Sequence, residues 1–375
     1  MTSLATDQDR THLRRALELA GNGRGRVSPN PLVGAVLARG SEAIGEGWHA
    51  ELGGLHAEVA AIADCHERGH DPAGATLYVS LEPCAHQGRQ PPCTQAILAA
   101  GVSRVVAGCD DPSAKASGRG PGILRDEGVD FAFADGAEAA AARILVQPFR
   151  KHARTHKPLV TLKAATSLDG FIATASGDSK WISGPESRAM VHRWRSQSDA
   201  IAVGIVTALT DDPLLTARDV DEADPRQPTR VVFDSQARLP LDSTLVSSIG
   251  EAPVLVVVTA GAPPERVSAL QEAGVETIEV SADRDRGIRE ALAELGRRQI
   301  TSLLLEGGAT LAGSFLTAGE IDELRIFIAP LVLGGGRPLA AGAGVQSVGD
   351  AERALVVEAE RCGEDVLIKA RLREW

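Results

Sequence analysis

The chain has 375 residues, 43% hydrophobic and 24% charged, with a formal net charge of −11. This is longer than one domain ordinarily needs and has the composition of a globular protein, so two domains are expected. The acidic balance argues against a nucleic-acid surface, and the lack of a signal-like or membrane-length apolar run leaves a cytoplasmic protein as the expectation.

Leu13, Ala16, Leu17 and Ala20 recur at helical spacing, which predicts a helix over 9–20 ending at Gly21. Ser28-Pro29-Asn30-Pro31 reads as a rigid turn running into a strand at 32–37, with a second short strand at 44–48. His56 opens a helical run over 57–66. The strand at 75–80 delivers Cys84 from a loop just past its end, and Cys93 opens an Ala-rich helix over 94–100. A strand at 102–107, a turn-rich loop at 110–120, a strand over 124–133 and a helix over 137–148 complete this half. Helices interleaved with strands imply a layered α/β/α sandwich.

Within that frame, His56-Ala57-Glu58 is followed by Glu82-Pro83-Cys84 and then Cys93. A His-x-Glu followed by Pro-Cys and a second Cys is the ligand pattern of a zinc-dependent nucleobase deaminase. His56, Cys84 and Cys93 supply three ligands, leaving the fourth position of a tetrahedron to water. Glu58 would move a proton from that water to the ring nitrogen and then to the departing ammonia. Each piece alone is common, and their order carries the reading. Cys65 or Cys109 as a fourth ligand would instead make a structural zinc site in a non-catalytic protein.

Eight residues separate Cys84 from Cys93, where most such deaminases have two. This pattern resembles the deaminase half of the bifunctional deaminase/reductase family of riboflavin biosynthesis. The resemblance implies that Asn30 lies over the pyrimidine edge, that His49 lines the phosphate or sugar, and that His86 and Arg89 face an anionic substrate. It also implies that the loop containing Asp111, Pro112, Gly118 and Gly120 closes on the ribosyl phosphate. Ser113, Ala114 and Gln90 depart from the family's usual residues there, which touches substrate affinity rather than zinc.

The basic stretch 150–157 reads as a solvated linker, giving a first domain over 1–150 and a second over 157–375. A strand at 158–165 leads into Thr166-Ser167-Leu168-Asp169-Gly170. A helix at 186–197, a strand at 199–203, the loop 211–218 and a closing hairpin over 356–359 and 366–372 follow. Leu303-Leu304-Leu305 runs into Gly307-Gly308 and a helix, a geometry that offers free amides to phosphate, although it is not Gly-x-Gly-x-x-Gly. His192 reads as helix surface and Asp169 as a turn residue.

This order of short motifs resembles the family's reductase half, which has a dihydrofolate-reductase-like α/β fold. The resemblance implies that Ala165, Trp181, Thr207, Asp211, Ser235 and the stretch Gly308, Ala309, Thr310, Leu311, Ala312, Gly313 and Ser314 hold NADPH. Ser179, Arg195, Leu215, Arg218 and Glu306 would hold the substrate. The implied enzyme carries one Zn2+ in its first domain and deaminates a diamino-ribosylamino-pyrimidinone phosphate. It then reduces the ribosyl chain to ribityl, and it forms a homo-oligomer through the reductase halves, with no nucleic-acid or membrane partner. A transfer-RNA adenosine deaminase would lack the inserted loop and second domain, and a reductase with a decayed deaminase would have lost Glu58 or a ligand.

Overall fold

A computed structural model describes residues 6–87, 90–114, 116, 118–220, 226–342 and 344–375. The chain forms two compact units, Met1–Thr155 with Trp375, and His156–Glu374.

In the first unit, α1 (Asp7–Ala20) starts two residues before the expected position because Thr6 and Asp9 form a reciprocal capping box. Its apolar face, Leu13, Ala16 and Leu19, packs on β1 (Gly34–Arg39). A Cβ at Gly34 would lie 2.1 Å from the Ala16 carbonyl oxygen, so glycine sets the helix–strand distance. Next come β2 (Glu42–Trp48), α2 (Ala57–Glu67), β3 (Thr76–Val79), α3 (Cys93–Ala99), β4 (Arg104–Ala107), α4 (Arg119–Asp126), β5 (Asp130–Phe133), α5 (Gly136–Leu145) and α6 (Gln147–Thr155). The sheet order is β2-β1-β3-β4-β5, antiparallel around β1 and parallel from β3 to β5.

Strand alternation divides the core between two faces. Leu37, Leu77 and Val105 meet Ala61, Ile97 and Leu124 on one face, while Val36, Tyr78 and Val106 meet α1 on the other. Across the second face the buried Asp9 carboxylate accepts from the Tyr78 hydroxyl at 2.7 Å and from Arg104 Nη1 at 2.7 Å.

Two expectations fail here. Leu124 lies in α4, whose inward face it anchors, so the strand is confined to 130–133. The basic stretch after residue 150 is not a solvated linker, since Arg150 and Lys151 sit buried in α6. Arg150 donates to the Asp110 carbonyl at 2.7 Å and carboxylate at 3.0 Å, and Lys151 lies over the Trp375 ring.

The second unit contains β6 (Leu159–Thr166), β7 (Phe171–Ala173), α7 (Pro185–Ser196), β8 (Ala200–Gly204), α8 (Ile205–Asp211), β9 (Thr229–Phe233), α9 (Thr244–Ser247), β10 (Val254–Thr259), α10 (Pro264–Glu272), β11 (Glu276–Val280), α11 (Arg284–Arg297), β12 (Ser302–Leu305), α12 (Ala309–Thr317), β13 (Glu323–Ile328), β14 (Arg337–Pro338), β15 (Val356–Cys362) and β16 (Asp365–Arg371). Its main sheet runs β11-β10-β9-β8-β12-β6-β13-β16-β15, parallel up to β13 and antiparallel beyond. Two apolar clusters cover its faces, as a mostly parallel sheet requires. The carboxyl ends of the parallel strands therefore open into one crevice, the usual ligand position in such sheets. Asp169 is a turn residue that accepts from the Leu333 and Gly334 amides and so joins two loops at the crevice. No helix among the described residues is long and apolar enough to cross a membrane.

Candidate active sites

The first site forms where α2 and α3 begin beside the loop after β3. His56 is the N-cap of α2 and Cys93 the first residue of α3, which fixes both side chains against Cys84. The Cys84 and Cys93 sulfurs lie 3.4 Å apart, and His56 Nδ1 lies 3.1 Å from Cys93 Sγ and 3.6 Å from Cys84 Sγ. Tetrahedral zinc with bonds of 2.0–2.3 Å imposes ligand separations of roughly 3.4–3.8 Å, so the three donors fit the ion closely. Among the described residues, Cys65 and Cys109 stand outside this group. Cys65 packs in the apolar core, and Cys109 Sγ faces the Ser80 carbonyl. Neither closes a fourth position.

The hydrogen bond from Cys93 and the nearby His56 hold the Cys84 thiol well below its ordinary value, which favours the thiolate that a metal ligand needs. Glu58, in the first turn of α2, is 3% exposed. Burial, reinforced by the Cys84 charge, raises its carboxyl to about 7. A group balanced near neutrality can both take and give a proton.

Around these residues, His49 Nδ1 donates to the Leu55 carbonyl at 2.9 Å, which leaves Nε2 to accept from Asn30 Nδ2 at 3.1 Å. Burial lowers the His49 pKa and favours this neutral form. The Asn30 carbonyl oxygen remains as an acceptor, with the buried His49 behind it. His86 is half-buried, and its Nδ1 has no hydrogen-bond partner among the described residues. Arg89 lies outside the described residues. Gln90 donates to the Gly53 carbonyl.

The second site is a cleft of about 1350 Å³ across the strand ends of the second unit. Arg195 and Glu306 form its charged centre, a bidentate pair at 2.7 and 2.9 Å. Burial alone would raise the Glu306 carboxyl, but Arg195 overcomes it and holds that group at about 2. Lys163 Nζ stands 3.9 Å from Glu306, and desolvation pushes its pKa down. The sequence reading missed Lys163, although a lone cation in the apolar run Pro158–Ala165 was a usable signal.

Ser179, Leu215 and Arg218 line the same cleft, Leu215 with a left-handed φ of 53°. Ala165, Trp181, Thr207, Asp211 and Ser235 also line it, as do Gly308, Ala309, Thr310, Leu311 and Ser314. Trp181 is 70% exposed, with the Arg188 guanidinium 4.7 Å from its ring centre. Ala312 and Gly313 do not face the cleft. Ala312 packs into the core, and Gly313 lies against the Ala341 backbone, because the helical turn carries both inward. His192 is not simple helix surface either. It lines the cleft, half-buried, with Nδ1 3.3 Å from the Thr216 carbonyl.

Comparison with known proteins agrees with this division. Residues 6–109 match the cytidine and deoxycytidylate deaminase zinc-binding region, and 158–368 match the RibD C-terminal domain. The riboflavin biosynthesis protein RibD of Escherichia coli is 39% identical over 373 residues, covering 96% of this chain and 98% of that protein. The chain belongs to the RibD family. RibD of Actinobacillus pleuropneumoniae is 38% identical, with 98% of this chain and 96% of that one covered.

The deaminase/reductase structure from Thermotoga maritima superposes with a TM-score of 0.85 at 34% identity, covering 98% of this chain and 99% of that one. RibD of Acinetobacter baumannii gives 0.85 at 35%, with the same coverage. As a RibD, the chain is a bifunctional riboflavin-biosynthesis enzyme, with a zinc-binding deaminase domain and a reductase domain of the NADPH-using type.

Proposed function

We propose that residues 1–150 hydrolytically deaminate 2,5-diamino-6-(5-phosphoribosylamino)pyrimidin-4(3H)-one. Residues 157–375 then reduce the ribosyl chain of 5-amino-6-(5-phosphoribosylamino)uracil to ribityl. The observation that carries this is the His56–Cys84–Cys93 donor set with Glu58 buried beside it in the first turn of α2. The Thermotoga maritima relative's name joins the same two activities.

Bound by those three residues, zinc supplies a Lewis acid that lowers a water's pKa from 15.7 to about 7. Glu58 would carry the water's first proton to the pyrimidine ring nitrogen and, as the new C2 hydroxyl becomes a carbonyl, its second proton to the amino group, which leaves as ammonia. The oxygen ends on C2. Asn30, fixed by His49, presents an acceptor to the pyrimidine edge. His86 faces the anionic part of the substrate.

In the second domain, Ala165, Trp181, Thr207, Asp211, Ser235 and the cleft-facing start of α12 would hold NADPH, which supplies the hydride. The amides at Gly307 and Gly308 suit its phosphates. Arg218 and Arg195 attract the ribosyl phosphate, with Ser179 and Leu215 shaping the pocket. Glu306 fixes the Arg195 fork, and Lys163 beside it would give a proton to the ribose ring oxygen as C1′ takes the hydride and the C1′–oxygen bond of the ring opens. The domain also associates with a second copy, supported by exposed Leu355, Val356 and Val357 along the edge strand β15. The acidic enzyme works in the cytoplasm.

The test is a stepwise assay in which ammonia is measured first and NADPH oxidation after cofactor addition, with Glu58→Gln in parallel. Wild type should do both. The variant should release no ammonia from the diamino substrate yet reduce the supplied uracil compound. Absence of ammonia from zinc-loaded wild type refutes the deaminase assignment.

A further inference from the structure

We propose that Glu82 is a positioning residue of the deaminase, which ties both ends of the loop 111–118 to the segment carrying Cys84. The proposal rests on the deaminase reading of the first site. Glu82 is 4% exposed, three residues past the end of β3 and two before the ligand. One carboxylate oxygen accepts from the Gly118 amide at 2.7 Å and the other from the Asp111 amide at 3.3 Å. Its own amide donates to the Cys109 carbonyl at 2.9 Å, in the segment that leads from β4 into the same loop. A single side chain therefore closes the loop at its two ends.

The residue type follows from this geometry. Burying a carboxylate is unfavourable, and packing alone would be served by an apolar or amide side chain. Two backbone donors converging on one group require acceptors on both arms, which an ionised carboxylate has and glutamine lacks.

The loop is also registered against the metal segment from the other direction. A Cβ at Gly120 would lie 2.2 Å from the Pro83 carbonyl oxygen, so the start of α4 rests directly on the peptide before Cys84. Asp111 is 8% exposed, accepts from the Ser113 amide at 2.8 Å, and interacts electrostatically with His86, two residues past Cys84. Glu82 thus sets the distance between this loop and the Cys84–His86 stretch. Loosening it should change how substrate is held while leaving the donor atoms of the metal site in place.

The experiment compares full-length, zinc-loaded wild type with Glu82→Gln. The amide loses one acceptor and turns an N–H group on a backbone N–H. The KM for the diamino substrate should rise about tenfold, as expected when a buried donor is left unpaired. Turnover should stay within about threefold, which separates binding from chemistry. Zinc content and reduction of the supplied uracil compound should not change, and amide exchange should quicken in peptides spanning 108–120.

Should Glu82→Gln fail to fold, Glu82→Asp keeps the charge but falls short of both amides, and a raised KM is expected there too. An unchanged KM overturns the proposal. So does a loss of zinc and turnover at constant KM, which would place Glu82 with the metal ligands. Inactive wild type would instead refute the deaminase reading itself.

Discussion

Replacing Arg195 by Met probes the reductase centre most directly. The substitution keeps the unbranched stem but leaves Glu306, 8% exposed, without the fork that holds its carboxyl at about 2. Return to the ordinary 4.5 or above costs about 3 kcal/mol at about 1.4 kcal/mol per pH unit. That agrees with the roughly 3–5 kcal/mol lost when one partner of a buried ion pair is removed. The folded carboxyl lies below its unfolded value, so its contribution is present above about 4.5 and fades as pH falls towards 2.

At neutral pH, thermal unfolding of the reductase half should fall by roughly 6–12 °C, at about 2–4 °C per kcal/mol for a unit of this size. Between pH 7 and 5 the gap should narrow, because the stranded Glu306 protonates. Adding Glu306→Gln should recover most of the loss, since a buried pair replaced at both ends is close to neutral. Calorimetry of wild type and the two variants decides the matter. A shift below about 2 °C for Arg195→Met, or no recovery in the double variant, refutes the reasoning.

Chelation should abolish ammonia release while leaving NADPH-dependent reduction of the supplied uracil compound intact, and zinc should restore the first activity. Asp9→Asn should destabilise the deaminase half by about 2–4 kcal/mol, read by denaturant unfolding, because the Arg104 charge loses its buried partner. Burial raises the Asp9 pKa, but the Arg104 and Tyr78 hydrogen bonds bring it down to about 2; wild type should lose this stability from about pH 4 towards 2, while the variant shows no such step. Gly34→Ala should lower the melting temperature of the same half, since the new methyl meets the Ala16 carbonyl; an unchanged value would mean α1 shifts freely.

The zinc site was legible because its chemistry dictates residue types and because short elements deliver them: a helix cap, a loop after a strand, a helix start. Burial that depends on distant partners was not legible. Nothing near Arg150 and Lys151 announces that Asp110 and Trp375 will cover them, so the basic stretch looked solvated. His192 was read from its own helix, but what matters is the loop at Thr216 that turns its face into a cleft. Ala312 and Gly313 could have been excluded earlier. A helix start offers one face to a ligand, whereas Ala312 turns into the core and Gly313 against the Ala341 backbone.

Net charge was informative in one respect and silent in another. A net charge of −11 counts against the broad basic surface that a polyanion needs. A single phosphate asks for much less. Screening confines an exposed charge to roughly 8–10 Å at ordinary salt, so remote carboxylates do not cancel cations inside a cleft. In the reductase cleft, Glu306 is already satisfied by Arg195, while Lys163, Arg188 and Arg218 face the same space. Beyond the Arg195–Glu306 pair, Lys163, Lys180, Arg188, Arg218, Arg284 and Arg337 line the cleft with Asp211, Asp212, Asp219 and Asp234, a slight excess of cations that favours a small phosphate. Net charge and the charges lining a cleft are thus read at two distances, and only the second bears on how a small phosphate is held.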